Sequence, residues 1–391
     1  EHTLEELLSQ RIFGICLGYE DLNDHDELRL DPLLATVCGK IDPEGKTREM
    51  ERDQGKALAG KSTLNRLELA CVLDEPDRYK KIFYCEEAID SYFIDKFIQG
   101  YDKEPEWITL DIDATDDPVH GHQEGRFFHG YYDSYCYLPL YIFCGNNLLC
   151  AKLKTANLDP GNDALVDIKR VIKRIKSFWP DVKILLRGDS GFCRDDIMTW
   201  CESQDDVYYI LGISGNSRLK SRIKTELNKA KKLFEAERKP QRLYKDFYYR
   251  TLNSWSRKRR VIGKAEHLSK GPNPRFIVTS LLKNEFPGKE LYEDTYCARG
   301  DMENRIKEQQ LYLFADRTRC MNYLPNRFRM LLSGLAYTLM EGLRRIGLSG
   351  TELADARCDT IRLKLLKIGA AVIRNTRRVI LMLTEAYPYK A

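Results

Sequence analysis

The sequence predicts an α/β protein. A mixed sheet is laid down as strand, strand, strand, helix, strand, helix, strand, interrupted by a basic β-rich insertion, with an all-helical module before it and a helical C-terminus after it. Three observations carry this reading. Apolar spacing is near 3.6 through the first hundred residues and drops to 2 at Trp107. Short strand-like and helix-like runs then alternate to about residue 215. Beyond that, Lys and Arg crowd into segments patterned as strands.

Composition sets the frame. With 391 residues, 43% hydrophobic and 31% charged, the chain suits two or three globular domains. No apolar run approaches the roughly 18 residues of a membrane span. The opening residues from Glu1 are too acidic for a secretory signal, and the missing methionine suggests a truncated or processed start. Twelve scattered cysteines without a C-x-x-C pair argue against a zinc ribbon or a redox motif. They fit free thiols in a reducing cytosol, mostly as small core residues. A net charge of +4 says little about partners. Its distribution says more.

Residues 3–19, 28–39, 62–73 and 86–98 carry helix-spaced apolar side chains, so 1–103 is assigned to a helical module. Such a module either reads DNA ends in the manner of a helix-turn-helix or packs as a cap. Residues 104–215 hold the expected strands at 108–115, 131–143 and 148–155, the last two joined by the turn of Gly145, Asn146 and Asn147. A helix at 165–178 lies between Gly161 and Pro180, and the apolar strand KILLR at 183–187 exits through Gly188, Asp189, Ser190 and Gly191. A helix at 194–202 and a strand at 207–213 complete an order that is that of the ribonuclease-H-like fold.

Residues 216–286 form the insertion. Between positions 218 and 264 there are seventeen Lys or Arg against four Asp or Glu, starting with an amphipathic helix at 217–237. A charge run is usually a solvated face, but one interleaved with Tyr244, Tyr248, Tyr249 and Trp255 suits phosphate contacts plus base stacking. Residues 287–346 return to the sheet domain with an apolar helix at 328–343. Residues 347–391, with a basic helical segment at 360–383, pack on that domain or supply a dimer contact.

The chemistry centres on residues 108–115, ITLDIDAT. Alternation places Asp111 and Asp113 on one face and Ile108, Leu110 and Ile112 on the other. Two carboxylates on a central strand need a cation, a salt bridge or open water, which points to a divalent metal site. Asp116 and Asp117 lie past the strand end, where loop solvation is the simpler reading. In 292–312, Tyr296, Arg299, Glu303, Lys307 and Gln310 fall on one helical stripe, normally a wet face but also a way to bring an acid, an arginine and a lysine together. His120, His122 and His129 beside Asp111 allow a zinc hydrolase as a competing idea, although a loop histidine pair is more often structural. The R-G-D at 187–189 ends an apolar strand and is discounted as an adhesion motif.

These residues resemble the DDE transposases of bacterial insertion sequences, in the group whose ribonuclease-H-like domain is split by a β-rich insertion, and most nearly the group numbered thirteen-eighty. The carriers are the D-A-T at Asp113, the R-G-D-S-G-F run holding Asp189, and the Y-x2-R-x3-E pattern of Tyr296, Arg299 and Glu303. The opening GYEDLNDHDELRLDP and the VHGHQEG loop are also similar. The resemblance implies that Asp113, Asp189 and Glu303 are the catalytic triad and hold two Mg2+ ions, with Mn2+ as a substitute. Asp111 is the rival first ligand. Water attacks first, and the freed 3′-hydroxyl then attacks a phosphodiester of the opposite strand or of target DNA. Arg299 is implied to hold a phosphate, Tyr296 to contact the backbone and Trp255 to stack on a flipped base. Arg257, Lys258, Arg259 and Arg260 are the accompanying DNA contacts. Double-stranded DNA carrying terminal inverted repeats, target DNA, a homodimer on two ends and a cytoplasmic, nucleoid-associated location follow from the same resemblance. Where the wider family has a lysine seven residues after the glutamate, this chain has Gln310, and Lys307 is the nearest substitute. A structure-specific nuclease and a transposase-derived DNA-binding protein without catalysis are the alternatives.

Overall fold

The computed structural model describes residues 2–69, 71–72, 82–159, 161–375 and 377–388. Helix α1 (Leu4–Leu17) begins at Thr3, whose hydroxyl accepts from the Glu6 amide while Glu6 accepts in return from the Thr3 amide. It ends at Gly18, whose φ of 93° a glycine adopts without strain. Helices at Pro32–Val37 and Lys61–Glu68 and α2 (Glu86–Ile98) follow. The N-terminal part departs from the all-helical expectation in one place, where Cys71–Val72 pairs in parallel with Phe83–Tyr84. Apart from a small cluster around Leu34, Ala35 and Leu58, it is not a separate body. Leu7, Ile15, Leu64 and Leu67 share a core with Met302, Ile306, Leu332 and Met340 from much later in the chain.

The central sheet is built from β1 (Trp107–Ala114), β2 (Leu140–Cys144), β3 (Asn147–Lys152), helix α3 (Ala164–Phe178), β4 (Lys183–Gly188), helix α4 (Asp195–Glu202) and β5 (Val207–Ile213). The insertion adds helix α5 (Lys224–Glu237), β6 (Gln241–Tyr249), β7 (Arg259–Leu268) and β8 (Arg275–Thr279). Across the sheet the order is β6-β7-β8-β5-β4-β1-β2-β3, with Gly271–Pro272 beside β7. Strands β1, β4 and β5 run parallel, and the remaining neighbours are antiparallel. The insertion therefore extends the sheet through the β8–β5 pairing instead of standing apart. Helices α6 (Gly300–Leu313) and α7 (Tyr323–Gly342) close the domain.

On one face of the sheet, Ile108, Leu110 and Ile112 of β1 join Ile184 and Leu186 of β4 beneath Ile168, Val171, Ile172 and Ile175 of α3. On the other face, Leu185, Ile210, Ile262 and Ile277 are covered by Leu291 and Tyr292. The β1 residues that point to that second side include Asp111 and Asp113. Among the described residues seven cysteines, including Cys136, Cys144, Cys150 and Cys201, are buried free thiols.

Three expected elements differ. The strand expected at 131–143 is two: Pro139, which has no amide hydrogen to donate, separates β2 from Ser134–Tyr137, which pairs instead with Asp117–Pro118 and Phe127–His129 in a small second sheet. The helix expected at 217–237 breaks at Ile223, whose side chain is buried in the core. The helix expected at 360–383 ends early: the α-helical turn Cys358–Ile361 continues as a π turn, Arg362–Leu366, and is followed by a β-hairpin of Ala370–Arg374 with Val379–Leu383. Val372, Ile373, Val379 and Ile380 favour strands as β-branched residues, and the Asn375 side chain fixes the turn by accepting from the amides of Arg377 and Arg378.

Candidate active site

The second face of β1 and β4 ends in acids. Asp111 is buried and gripped bidentately by Arg187 of β4, with Nε to Oδ1 at 2.5 Å and Nη2 to Oδ2 at 2.7 Å. The third arm of the same guanidinium donates to the Thr295 carbonyl, so one ion pair ties β1, β4 and the segment entering α6 together. Asp111 is thereby occupied. Asp113, two residues on and nearer the strand end, is only partly buried, and its Oδ1 accepts from the Ala114 amide at 3.0 Å.

Arg299 joins the distant pieces. Its Nη2 lies 2.8 Å from Asp113 Oδ2, and its Nη1 lies 3.8 Å from Glu303 Oε1, one helical turn further along. Its Nε is buried without an acceptor among the described residues. Glu303 itself is exposed, as is Lys307. Asp189 caps the 3-10 turn Ser190–Phe192 directly after β4, accepting from the Gly191 amide at 2.8 Å. It stands close enough to be felt electrostatically. Burial pushes the Asp113 carboxyl up to about 6, with Arg299 opposing the shift and the Asp189 carboxylate adding to it. Burial lowers Arg299, but the carboxylates of Asp113 and Asp189 outweigh it and hold the guanidinium above its usual value.

Tyr296 is half-buried over β5. A Cβ on Gly212 would fall 2.6 Å from the Tyr296 hydroxyl and 3.1 Å from the Ser190 amide nitrogen, so only glycine lets the ring reach the Asp189 turn. Gln310 donates to the Asp116 carbonyl at 3.1 Å, which fastens α6 to the end of β1 from the position where the wider pattern has lysine.

Several sequence-based assignments change here. Asp117 is not a solvated loop residue: it is 1% exposed, its Oδ2 accepts from Thr318 at 2.8 Å, and burial pushes its carboxyl up to about 7. Trp255 is buried, edge-on to Tyr249 at 5.8 Å, because its ring fills the core beneath the insertion. Arg259 is buried in ion pairs with Asp195 and Glu202, and Arg260 is buried against Asp246 and the carbonyls of Leu281 and Phe286. As folded, these three side chains present neither ring nor guanidinium to a ligand. Arg257, paired with Glu202, and Lys258 stay at the surface. Of the histidines, His122 meets Arg126 at 2.9 Å and His129 packs against Tyr132. Arg187 was overlooked in the sequence, although a charged residue between an apolar strand and the Gly188–Asp189 exit is a readable signal.

Among the described residues, no three His, Cys, Asp or Glu side chains stand close enough, as they are, to hold a metal ion. The Arg299 guanidinium instead takes a cation's position between Asp113 and Glu303. The donor set is nonetheless all carboxylate oxygen, which suits Mg2+ or Mn2+ and not a soft metal. No helix among the described residues is long and apolar enough to cross a membrane.

Asp113 and Asp189 stand at the ends of two adjacent parallel strands, with the Arg299 guanidinium paired to Asp113. The chain belongs to the transposase DDE domain family, group 1, whose model matches residues 1–391. It is thus a protein of the transposase class, with DNA as the substrate the family implies. No curated protein sequence matches it.

Proposed function

We propose that this protein is a divalent-metal-dependent transposase of an insertion sequence, with a ribonuclease-H-like catalytic domain, that cuts the element's ends and joins them to target DNA. The observation that carries the reading is the Arg299 guanidinium, which reaches Asp113 and Glu303 together while Asp189 stands beside them. Asp113 and Arg299, 186 positions apart, form one ion pair.

Asp113, Asp189 and Glu303 are the residues that would hold the metal. A divalent ion held there would supply Lewis-acid activation of the attacking oxygen and charge neutralisation at the leaving one. The remaining roles belong to the chain. Arg299, with a buried and unsatisfied Nε, is placed to turn from Asp113 to a phosphate oxygen when DNA enters. Tyr296, packed over Gly212, holds its hydroxyl at the Asp189 turn, where it can meet the backbone beside the cut bond. Asp111 supports Asp113 as first ligand by being committed to Arg187. A homodimer engaging two element ends completes the reading, with Lys258 and Arg257 as rim contacts to the backbone.

The test is cleavage of DNA carrying the element's ends with Mg2+, comparing the intact protein with Asp189→Asn. Loss of cutting in the variant with an unchanged melting temperature is the expected result. Equal cutting by both removes the assignment, and cutting without any joined DNA product reduces the protein to a nuclease.

A further inference from the structure

Residues 117–137 hold a small antiparallel sheet that begins three residues past the end of β1. Within it, Phe128 stands opposite Tyr135, with the rings 5.6 Å apart, and the Arg126 guanidinium lies 4.5 Å from the Tyr135 ring centre. Both rings stay about half exposed, at 53% and 48%. The turn of the hairpin carries Tyr131, which is 84% exposed and stands edge-on to Tyr132 at 5.0 Å. Tyr132 and Ala114, the residue after Asp113, both pack against the buried cluster of Cys136, Leu138 and Ala156. The strand Asp117–Pro118, three residues past the end of β1, pairs with Cys136 and Tyr137 and so holds the hairpin at that end of the central sheet.

Exposed rings cost free energy in water unless something covers them, and the chemistry of this surface narrows what that is. Its outward side chains are flat rings, two with polar tips, and a guanidinium. Aliphatic side chains, which mark the core of most protein contacts, are missing from the exposed positions of Phe127–His129 and Ser134–Tyr137. Rings of this kind match the faces of nucleobases, and they can reach those faces only where bases are unstacked. Trp255, the other aromatic candidate for such a contact, is enclosed in the core.

We propose that Phe128, Tyr131 and Tyr135 form a stacking platform for unpaired nucleobases of the DNA strand that lies in the Asp113, Asp189 and Glu303 cleft. The inference rests on the transposase reading and adds to it where the strand's bases go. It assigns no sequence preference, because every base has a face to stack.

The experiment measures binding of a fluorescein-labelled oligothymidylate and of an equally long strand with abasic sites in place of the bases, both without divalent metal. The two probes carry the same phosphates. The intact protein is expected to prefer the base-bearing strand by about tenfold or more. Tyr131→Ala combined with Phe128→Ala should remove most of that preference and leave affinity for the abasic strand unchanged, whereas Tyr131→Phe should retain it. Melting temperature controls for folding. An intact protein without preference, or a double variant with undiminished preference, overturns the platform. Asp189→Asn should keep the preference in full. Cutting with no base preference therefore sinks this inference alone, and base preference without metal-dependent cutting sinks the transposase reading alone.

Discussion

The insertion strands and the 117–137 hairpin are both rich in rings and cations, yet they use them in opposite ways. In the insertion, Trp255, Arg259 and Arg260 face inward, and each guanidinium has carboxylate or carbonyl partners from neighbouring elements. In the hairpin, Phe128, Tyr131 and Tyr135 face outward, and the nearby Arg126 is stacked instead of paired with an acid. Partner supply explains the difference. The insertion lies across α4, which offers Asp195 and Glu202, whereas Arg126 in the hairpin sheet meets the Tyr135 ring and His122. Residue type alone does not distinguish a binding surface from a core, because the same side chains serve either once partners are counted.

The comparison breaks most sharply on stability. Arg259→Ala removes a buried guanidinium from two carboxylates and should lower unfolding free energy by about 3–5 kcal/mol in denaturant titration. Lys258→Ala next to it should change stability by no more than about 0.5 kcal/mol. Similar losses for the two would mean that Arg259 is a surface contact after all.

A second effect lies at the foot of the hairpin. Asp117 keeps its proton up to about pH 7 in the folded protein, because of burial and the nearby Asp316 and Asp116, with Thr318 and Arg317 opposing. The unfolded carboxyl releases its proton near 4. The native state is therefore fully favoured by this group below about pH 4 and loses that support as pH rises to about 7. Asp117→Asn should raise stability at pH 8 by on the order of 2 to 4 kcal/mol and change little at pH 4. A pH-independent effect in thermal melts would contradict the burial.

At the acids themselves, Arg299→Gln should tighten Mn2+ binding in the absence of DNA by about tenfold, since a cation no longer competes for Asp113 and Glu303. Mn2+ electron paramagnetic resonance reads this directly, and weaker binding would show that Arg299 supports the metal instead of standing in for it. The smallest effect is at the hairpin turn. Tyr131→Ala should leave stability within about 0.5 kcal/mol, and a larger loss would return that ring to the core.

Much of this was legible beforehand. Strong local periodicity gave β1, α3, β4, α4 and β5 within a residue or two, and the spacing from Tyr296 to Glu303 survives although the segment passes through π and 3-10 turns before α6. What the sequence hid was tertiary in origin. Asp111 and Asp113 are equivalent by alternation, the D-A-T pattern favours Asp113, and the clamp of Arg187 on Asp111, 76 positions away in sequence, is a difference that no local pattern announces. The C-terminal hairpin was masked by a basic, apolar run whose β-branched content outweighs its helical spacing. Trp255 and its arginines were misread because nothing local announces Asp195 or Glu202 as their partners.

The β8–β5 pairing has a mechanical consequence. Strands that share a hydrogen-bonded ladder cannot swing about a linker, so the span from Lys258 to the acids is a fixed length of the protein. A duplex touching both places would have to do the bending itself, so DNA with pliable pyrimidine–purine steps between the two contacts should be engaged more readily than stiff A-tracts.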